Sequence, residues 1–167
     1  QTTDMREALA LILQFRSATL GDVIGARILL EPAIAAAAAL RMTKKDLRTL
    51  RETVEIMLED VTDEVTFSVQ YNRFHSVLAD AVGNSVVAVL VDSLHFVDLG
   101  RADGLEFRPQ IIARVARAHL EIVEALQTRD ATLAAEAMHR HLVGAKTYYA
   151  QRFPEAYNSP LRWLDGE

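Results

Sequence analysis

The sequence predicts an all-α fold, an antiparallel bundle of about seven helices, and three observations carry that reading. Apolar residues recur every three to four positions in nearly every segment, the period of a helix with one buried face. No run of alternating apolar and polar residues is long enough to make a convincing strand. The composition agrees: of 167 residues, 50% are hydrophobic, and there are only seven Gly and four Pro, too few for a turn-rich β fold. A chain of this length falls within the roughly 100–200 residues of a single domain.

The elements follow in order. A first helix over about 4–16 places Met5, Leu9, Ile12 and Leu13 on one side with Ala8 beside them. The second begins near Gly21 or Asp22, with Asp22 as a suitable N-cap, and runs to Arg41. Pro32 within it lacks an amide donor and predicts a kink. The run Ala35 to Ala39, apolar all round, predicts a helix central to the bundle. Thr43 with Asp46 reads as a capping box opening a third helix, 44–60, whose apolar side carries Leu47, Leu50, Val54 and Leu58. Thr62 and Asp63 cap a fourth, 63–81, which Gly83 ends. Asn84 caps a fifth, 85–98, and Gly100 to Gly104 reads as a loop. Pro109 suits the first turn of a sixth helix ending at Thr128. Asp130 caps a seventh, 131–152, stopped by Pro154. The bundle therefore spans 1–153, and 154–167 is a tail with Leu161, Trp163 and Leu164 as anchors.

Charge and cysteine content exclude several classes. The net charge is −5 and there is no Cys, which removes disulfides, thiolate metal sites and thiol nucleophiles. Lys44, Lys45, Arg48 and Arg51 are interleaved with Asp46 and Glu52, a solvated helix face rather than the clustered cations that neutralise phosphates. The longest uncharged stretch, Ala81 to Val91, is well short of the roughly 18–20 residues that cross a bilayer. No membrane association is expected. Asp4, Arg6 and Glu7 interrupt any signal-peptide core. The chain starts at Gln1, consistent with a piece of a longer protein.

The five His are the informative feature, because all fall inside predicted helices. At about 100° per residue, His139 and His141 point about 200° apart; His141 shares its side with Leu133, Ala134, Ala137, Met138, Leu142 and Ala145, leaving His139 to solvent. His119 falls with Ile112, Val115, Ile122 and Leu126, and His75 with Leu78, Ala79 and Val82. His95 is ambiguous, since Val91 and Leu99 share its side with Asp92 and Asp98. Three inward imidazoles on three helices need polar partners. A shared cation is one solution, ordinary hydrogen bonding another.

Three motifs carry a family resemblance. Phe74-His75 with Leu78, Ala79 and then Gly83-Asn84 resembles a segment of the ligand-binding (FCD) domain of FadR-subfamily GntR transcription regulators. Arg27, Leu30, Glu31 and Pro32, followed by the Ala-rich run, resemble its R-x-x-L-E-P helix. His119, Ile122, Ala125, Leu126 and Asp130, then Ala134, Met138 and His141-Leu142, resemble its closing pattern. The resemblance covers residues 5–150. It implies a cytoplasmic, non-enzymatic, effector-sensing and dimerising domain, with a winged helix-turn-helix DNA-binding domain upstream. DNA would be bound only through that missing part, by a homodimer. It further implies a divalent metal, zinc or nickel, held by His75, His119 and His141, with a small organic acid completing the coordination.

The family's Asp, four residues before the first His, is absent: that position is Tyr71, and Asn72 follows it. Both lie within about 60° of His75 on a helical wheel and are the candidate fourth-position substitutes. Neither equals an Asp, since Asn is neutral and a phenol with a reference pKa near 10 stays mostly protonated at neutral pH. Arg27 and Asn84 are candidate effector contacts; the alternatives are a salt bridge from Arg27 to Glu31 and a helix cap for Asn84. Two other functions remain open: a metal-free dimerisation module taking a bulkier apolar ligand, and a three-His metal-dependent hydrolase. The hydrolase lacks an inward general base, because Glu121, Glu124 and Glu136 fall on solvent phases.

Overall fold

In a computed structural model, the backbone is described for residues 2–60, 62–102 and 107–162, and side chains for all of these except 2–5 and 98–102. Among the described residues the chain forms eight helices and no strand: α1 Thr2–Phe15, α2 Leu20–Arg41, α3 Lys44–Glu59, α4 Glu64–Ala81, α5 Ser85–Ala102, α6 Pro109–Gln127, α7 Ala131–Arg152 and α8 Pro154–Asn158. The all-α expectation holds, with one short helix more than predicted.

The helix starts rest on local chemistry. Thr43 and Asp46 form a reciprocal capping box at α3, Asp63 caps α4, and Asp130 caps α7 through the amides of Thr132 and Leu133. At α2 the expected cap is displaced. Thr19 is the N-cap and Asp22 is its partner at the third helical position, an arrangement satisfying two orphan donors where Asp22 alone would satisfy one. Gly83 ends α4 with φ +71°, a left-handed conformation that costs Gly little. Helix α5 runs through Gly100 to Ala102, where a loop was expected; the rest of that expected loop falls in Asp103 to Glu106, outside the described residues. Helix α2 continues through Pro32.

Helix α2 packs most extensively against α7 and also touches α4, α5, α6 and α8. Ala35, Ala38 and Ala39 are fully buried there, their small side chains allowing close approach between helices. The Ala-rich helix is nonetheless not buried all round: Leu29 is 80% and Leu40 67% exposed, because its neighbours cover one side only. By length and hydropathy α2 would suffice to cross a membrane, a property the scan of uncharged stretches missed because Arg27 and Glu31 interrupt it.

The main core joins α2, α3, α4, α6 and α7 through residues such as Leu50, Met57, Phe74, Leu78, Ile122, Leu126 and Met138. A smaller cluster holds Ala10, Val23, Val97 and Leu161. Several predicted core positions face outward: Ala8, Ile12 (57% exposed), Leu58 (41%) and Leu133 (46%). Each sits near a helix end or on the peripheral α1, which packs mainly against α5, so the neighbouring helices cover a narrower stripe than the apolar pattern spans. The segment after α7 turns back, with Leu161 donating its amide to the Ala18 carbonyl and its side chain buried. Leu161 is thus an anchor, as expected; Trp163 and Leu164 lie outside the described residues.

Candidate metal centre

Helices α4, α6 and α7 bring His75, His119 and His141 together in the core, and all three are buried. Each offers a ring nitrogen such that the three atoms lie within 4.8 Å of one another. His119 Nε2 and His141 Nε2 are 3.3 Å apart. Two nitrogens bound tetrahedrally to one zinc at 2.0–2.1 Å would stand about 3.3–3.4 Å apart, so this separation fits two ligands of one ion. His75 Nε2 and His119 Nδ1 are buried without a hydrogen-bond partner, which is costly for imidazole unless a further group occupies the space.

A second layer fixes His75. Its Nδ1 lies 2.5 Å from Glu31 Oε2, so a proton on Nδ1 is donated to the carboxylate and the Nε2 lone pair is left for a cation. This is the carboxylate–histidine arrangement that orients metal-binding imidazoles. Arg27 Nε donates to Glu31 Oε1 at 2.6 Å, and a second guanidinium nitrogen donates to the Tyr71 hydroxyl at 2.9 Å. His95 Nε2 approaches Glu31 Oε1 at 3.2 Å. Glu31 with His75 and His95 also has metal-like spacing. A cation there would have to displace Arg27, already in contact with the same carboxylate, so charge favours a hydrogen-bonded set.

Electrostatics follow from this geometry. Burial alone would raise the Glu31 carboxyl, but Arg27, His75 and His95 together hold it well below the usual carboxylate range. Burial lowers His75 to about 4, against the partial opposition of Glu31. Burial, with neighbouring imidazoles and Arg27 adding to it, takes His119 and His141 well below their ordinary value. The His are therefore neutral at physiological pH, the form that binds metal.

Tyr71 occupies the middle of this group. Its ring centroid is 4.8 Å from that of His75, 5.3 Å from His119, 5.8 Å from His95 and 6.1 Å from His141. Of the two fourth-position candidates Tyr71 is the one at the cluster. Asn72 is half-buried on the same helix and its Oδ1 has no hydrogen-bond partner. Arg27 is 1% exposed and tied to Glu31, the salt bridge weighed as its alternative, and it does not line the cavity below. Asn84 is exposed, and its Oδ1 accepts from the amides of Val86 and Val87. It caps α5 and is not brought to the cluster.

Beside the cluster lies a cavity of about 260 Å³, whose walls include Tyr71, His141, Phe67, Phe107, Tyr148 and Tyr149. Arg114 and Arg140 also line it. Sequence reasoning overlooked three of these features. Glu31 was read as a motif residue and as a salt-bridge partner for Arg27 but not as a partner of His75, His95 was left ambiguous, and the two arginines lie on exposed helix faces that a wheel assigns to solvent. Glu124 and Glu136 are exposed as predicted, whereas Glu121, though exposed, lines the cavity.

Residues 22–144 match the FCD domain model. The chain belongs to the FCD domain family. This FCD domain is 29% identical over 130 residues to the Uxu operon regulator of Haemophilus influenzae, a match covering 75% of the chain and 49% of that protein. It also superposes on Streptococcus agalactiae GntR with a TM-score of 0.60 and 27% identity, covering 80% of this chain and 60% of that one. The chain thus spans about half the length of the curated relative it matches. These findings support an FCD domain of GntR-family regulator type, a class of transcription regulators rather than enzymes.

Proposed function

We propose that this FCD domain senses a small organic acid at a divalent metal held by His75, His119 and His141, and through that binding controls DNA binding by a full-length cytoplasmic dimer. The observation that carries the metal reading is the convergence of three buried, neutral imidazoles, with His75 Nε2 left without a hydrogen-bond partner. Bound there, the ion would supply a positive charge for a carboxylate. The residues do the rest: Glu31 orients His75, and His141 with Tyr71 borders a cavity from which a ligand reaches the cluster.

Signal transmission requires that the ligand bind two states of the domain unequally. Helices α4, α6 and α7 carry the three His and also border the cavity, so occupancy bears on how these helices pack. The upstream winged helix-turn-helix domain, the homodimer and the metal's identity as zinc or nickel belong to the same proposal. A metal-free module for a bulkier apolar ligand is the second reading, favoured by the apolar walls of the cavity and by Tyr71 in place of a carboxylate.

Elemental analysis of the purified protein, paired with thermal shifts for a panel of carboxylic acids with and without chelator, tests the proposal. Stoichiometric metal and acid-dependent stabilisation abolished by chelator are expected. Absence of bound metal, with His75→Ala leaving ligand stabilisation unchanged, would favour the metal-free reading.

A further inference from the structure

The cavity beside the His cluster constrains the body of its ligand as well as its charged end. Five aromatic rings form an arc along it. Tyr71 and Phe67 have centroids 5.8 Å apart, Phe67 and Phe107 6.0 Å, Phe107 and Tyr149 6.1 Å, and Tyr148 and Tyr149 5.9 Å. These spacings lie within the range of favourable aromatic pairs, and a ligand ring would extend the same packing. The other walls include Ile111, Val115, Ala118 and Ala137, and no Asn, Gln, Ser, Thr or Asp is among the lining residues.

Volume and polarity together narrow the choice. An apolar cavity of about 150 Å³ holds benzene, so about 260 Å³ accommodates one six-membered ring with a short acid arm. Most of the cavity wall is apolar, so a polyhydroxylated acid would lose water from several hydroxyls without a partner for each, which weakens binding. Charge sets the remaining requirement. Two cations, Arg114 and Arg140, line the cavity with a single anion, Glu121, which lies 3.9 Å from Arg140, so the net balance of one positive charge suits an anionic ligand. Arg114 is held over the Tyr148 ring, 5.7 Å from its centroid.

We infer that the ligand of this cavity is a single-ring aromatic monocarboxylate rather than a polyhydroxylated acid. The inference rests on the effector-sensing function proposed above and adds the ligand class. Gly144 gives a clean way to block the cavity. It lines the wall on α7, and a Cβ built on it meets no atom within 4 Å, so Gly144→Phe adds a ring without forcing the backbone.

The test is calorimetric titration of the zinc-loaded protein with phenylacetate and with gluconate, repeated after chelator treatment and in Gly144→Phe. Phenylacetate is expected to bind at least about tenfold more tightly than gluconate, a difference of about 1.4 kcal/mol. Gly144→Phe should weaken phenylacetate at least about tenfold while leaving bound zinc unchanged. Gluconate binding as tightly as phenylacetate overturns the ligand class, as does a failure of both acids to bind protein that carries stoichiometric zinc. Phenylacetate binding that is equally strong after chelation upholds the ligand class and rejects the metal-centred reading, so the two fail separately.

Discussion

The Nδ1 of His75 lies 2.5 Å from Glu31 Oε2 across 44 residues of sequence. That contact turns a motif on α2 into a control over a ring on α4. It sets which nitrogen of His75 carries the proton, and therefore which one faces His119 and His141. Because Glu31 also receives Arg27, the carboxylate is an acceptor shared between a permanent cation and two imidazoles.

Glu31→Gln should therefore be strongly destabilising. Removing one member of a buried ion pair leaves an uncompensated charge and typically costs about 3–5 kcal/mol. Arg27 would be that charge, since it is 1% exposed. Urea unfolding of the variant against the unaltered chain checks the magnitude; a loss under about 1 kcal/mol, within the range of exposed pairs, would show that the pair is less isolated from water than its burial indicates.

Tyr71→Asp should tighten metal binding. The substitution supplies a carboxylate one helical turn before His75 and lowers the charge of a three-His divalent site from near +2 to near +1. A chelator-competition titration should show at least about tenfold higher affinity, or about 1.4 kcal/mol. Unchanged affinity would mean that the missing carboxylate does not limit the site. The deleted ring leaves space among the imidazoles, so apo stability should fall by a few kcal/mol, about 3–5 for a large aromatic side chain truncated in a core.

Acid should unfold the domain and release metal. His75 is lowered to about 4 from an ordinary 6.5, so between those values the unfolded chain binds more protons than the folded one. Stability is then full above pH 6.5 and declines as pH falls toward 4, with His75 alone accounting for roughly 3 kcal/mol at about 1.4 kcal/mol per pH unit. His119 and His141 shift in the same direction and add to the slope. In the folded chain His75 stays neutral down to about 4, so over this window metal is lost through unfolding, and direct protonation of the ligands competes only at lower pH. Thermal melts from pH 7.5 to 4.5, with and without zinc, measure both; a midpoint that rises on acidification contradicts the assignment.

Asn84→Ala should lower stability by about 1 kcal/mol, the usual effect of losing a side-chain N-cap. Acid binding should be unchanged, since Asn84 caps α5 through Val86 and Val87. A selective loss of acid binding in a chain whose melting point is preserved would restore Asn84 as an effector contact.

Much of the fold was legible because its determinants are local. Helical periodicity, the Thr43–Asp46 capping box, the Asp63 and Asp130 caps and the Gly83 stop each act within a few residues. The inward phases of His75, His119 and His141 were legible for the same reason, as each depends only on the apolar neighbours of its own helix. The exposed Ile12 and Leu133 were not, because a wheel reports which side is apolar and not how much of it a neighbour covers.

By itself the sequence determined an all-helical chain, three inward imidazoles, and a Tyr where a carboxylate was expected. Tertiary structure alone decided that Glu31, His75 and His95 share one hydrogen-bonded group, that Arg27 is used within it, and that Arg114 and Arg140 border an aromatic cavity. The physical reason is range. Helix propensity and amphipathic phase are set over a few residues, whereas a carboxylate's partners and a cavity's walls are set by which helices pack together.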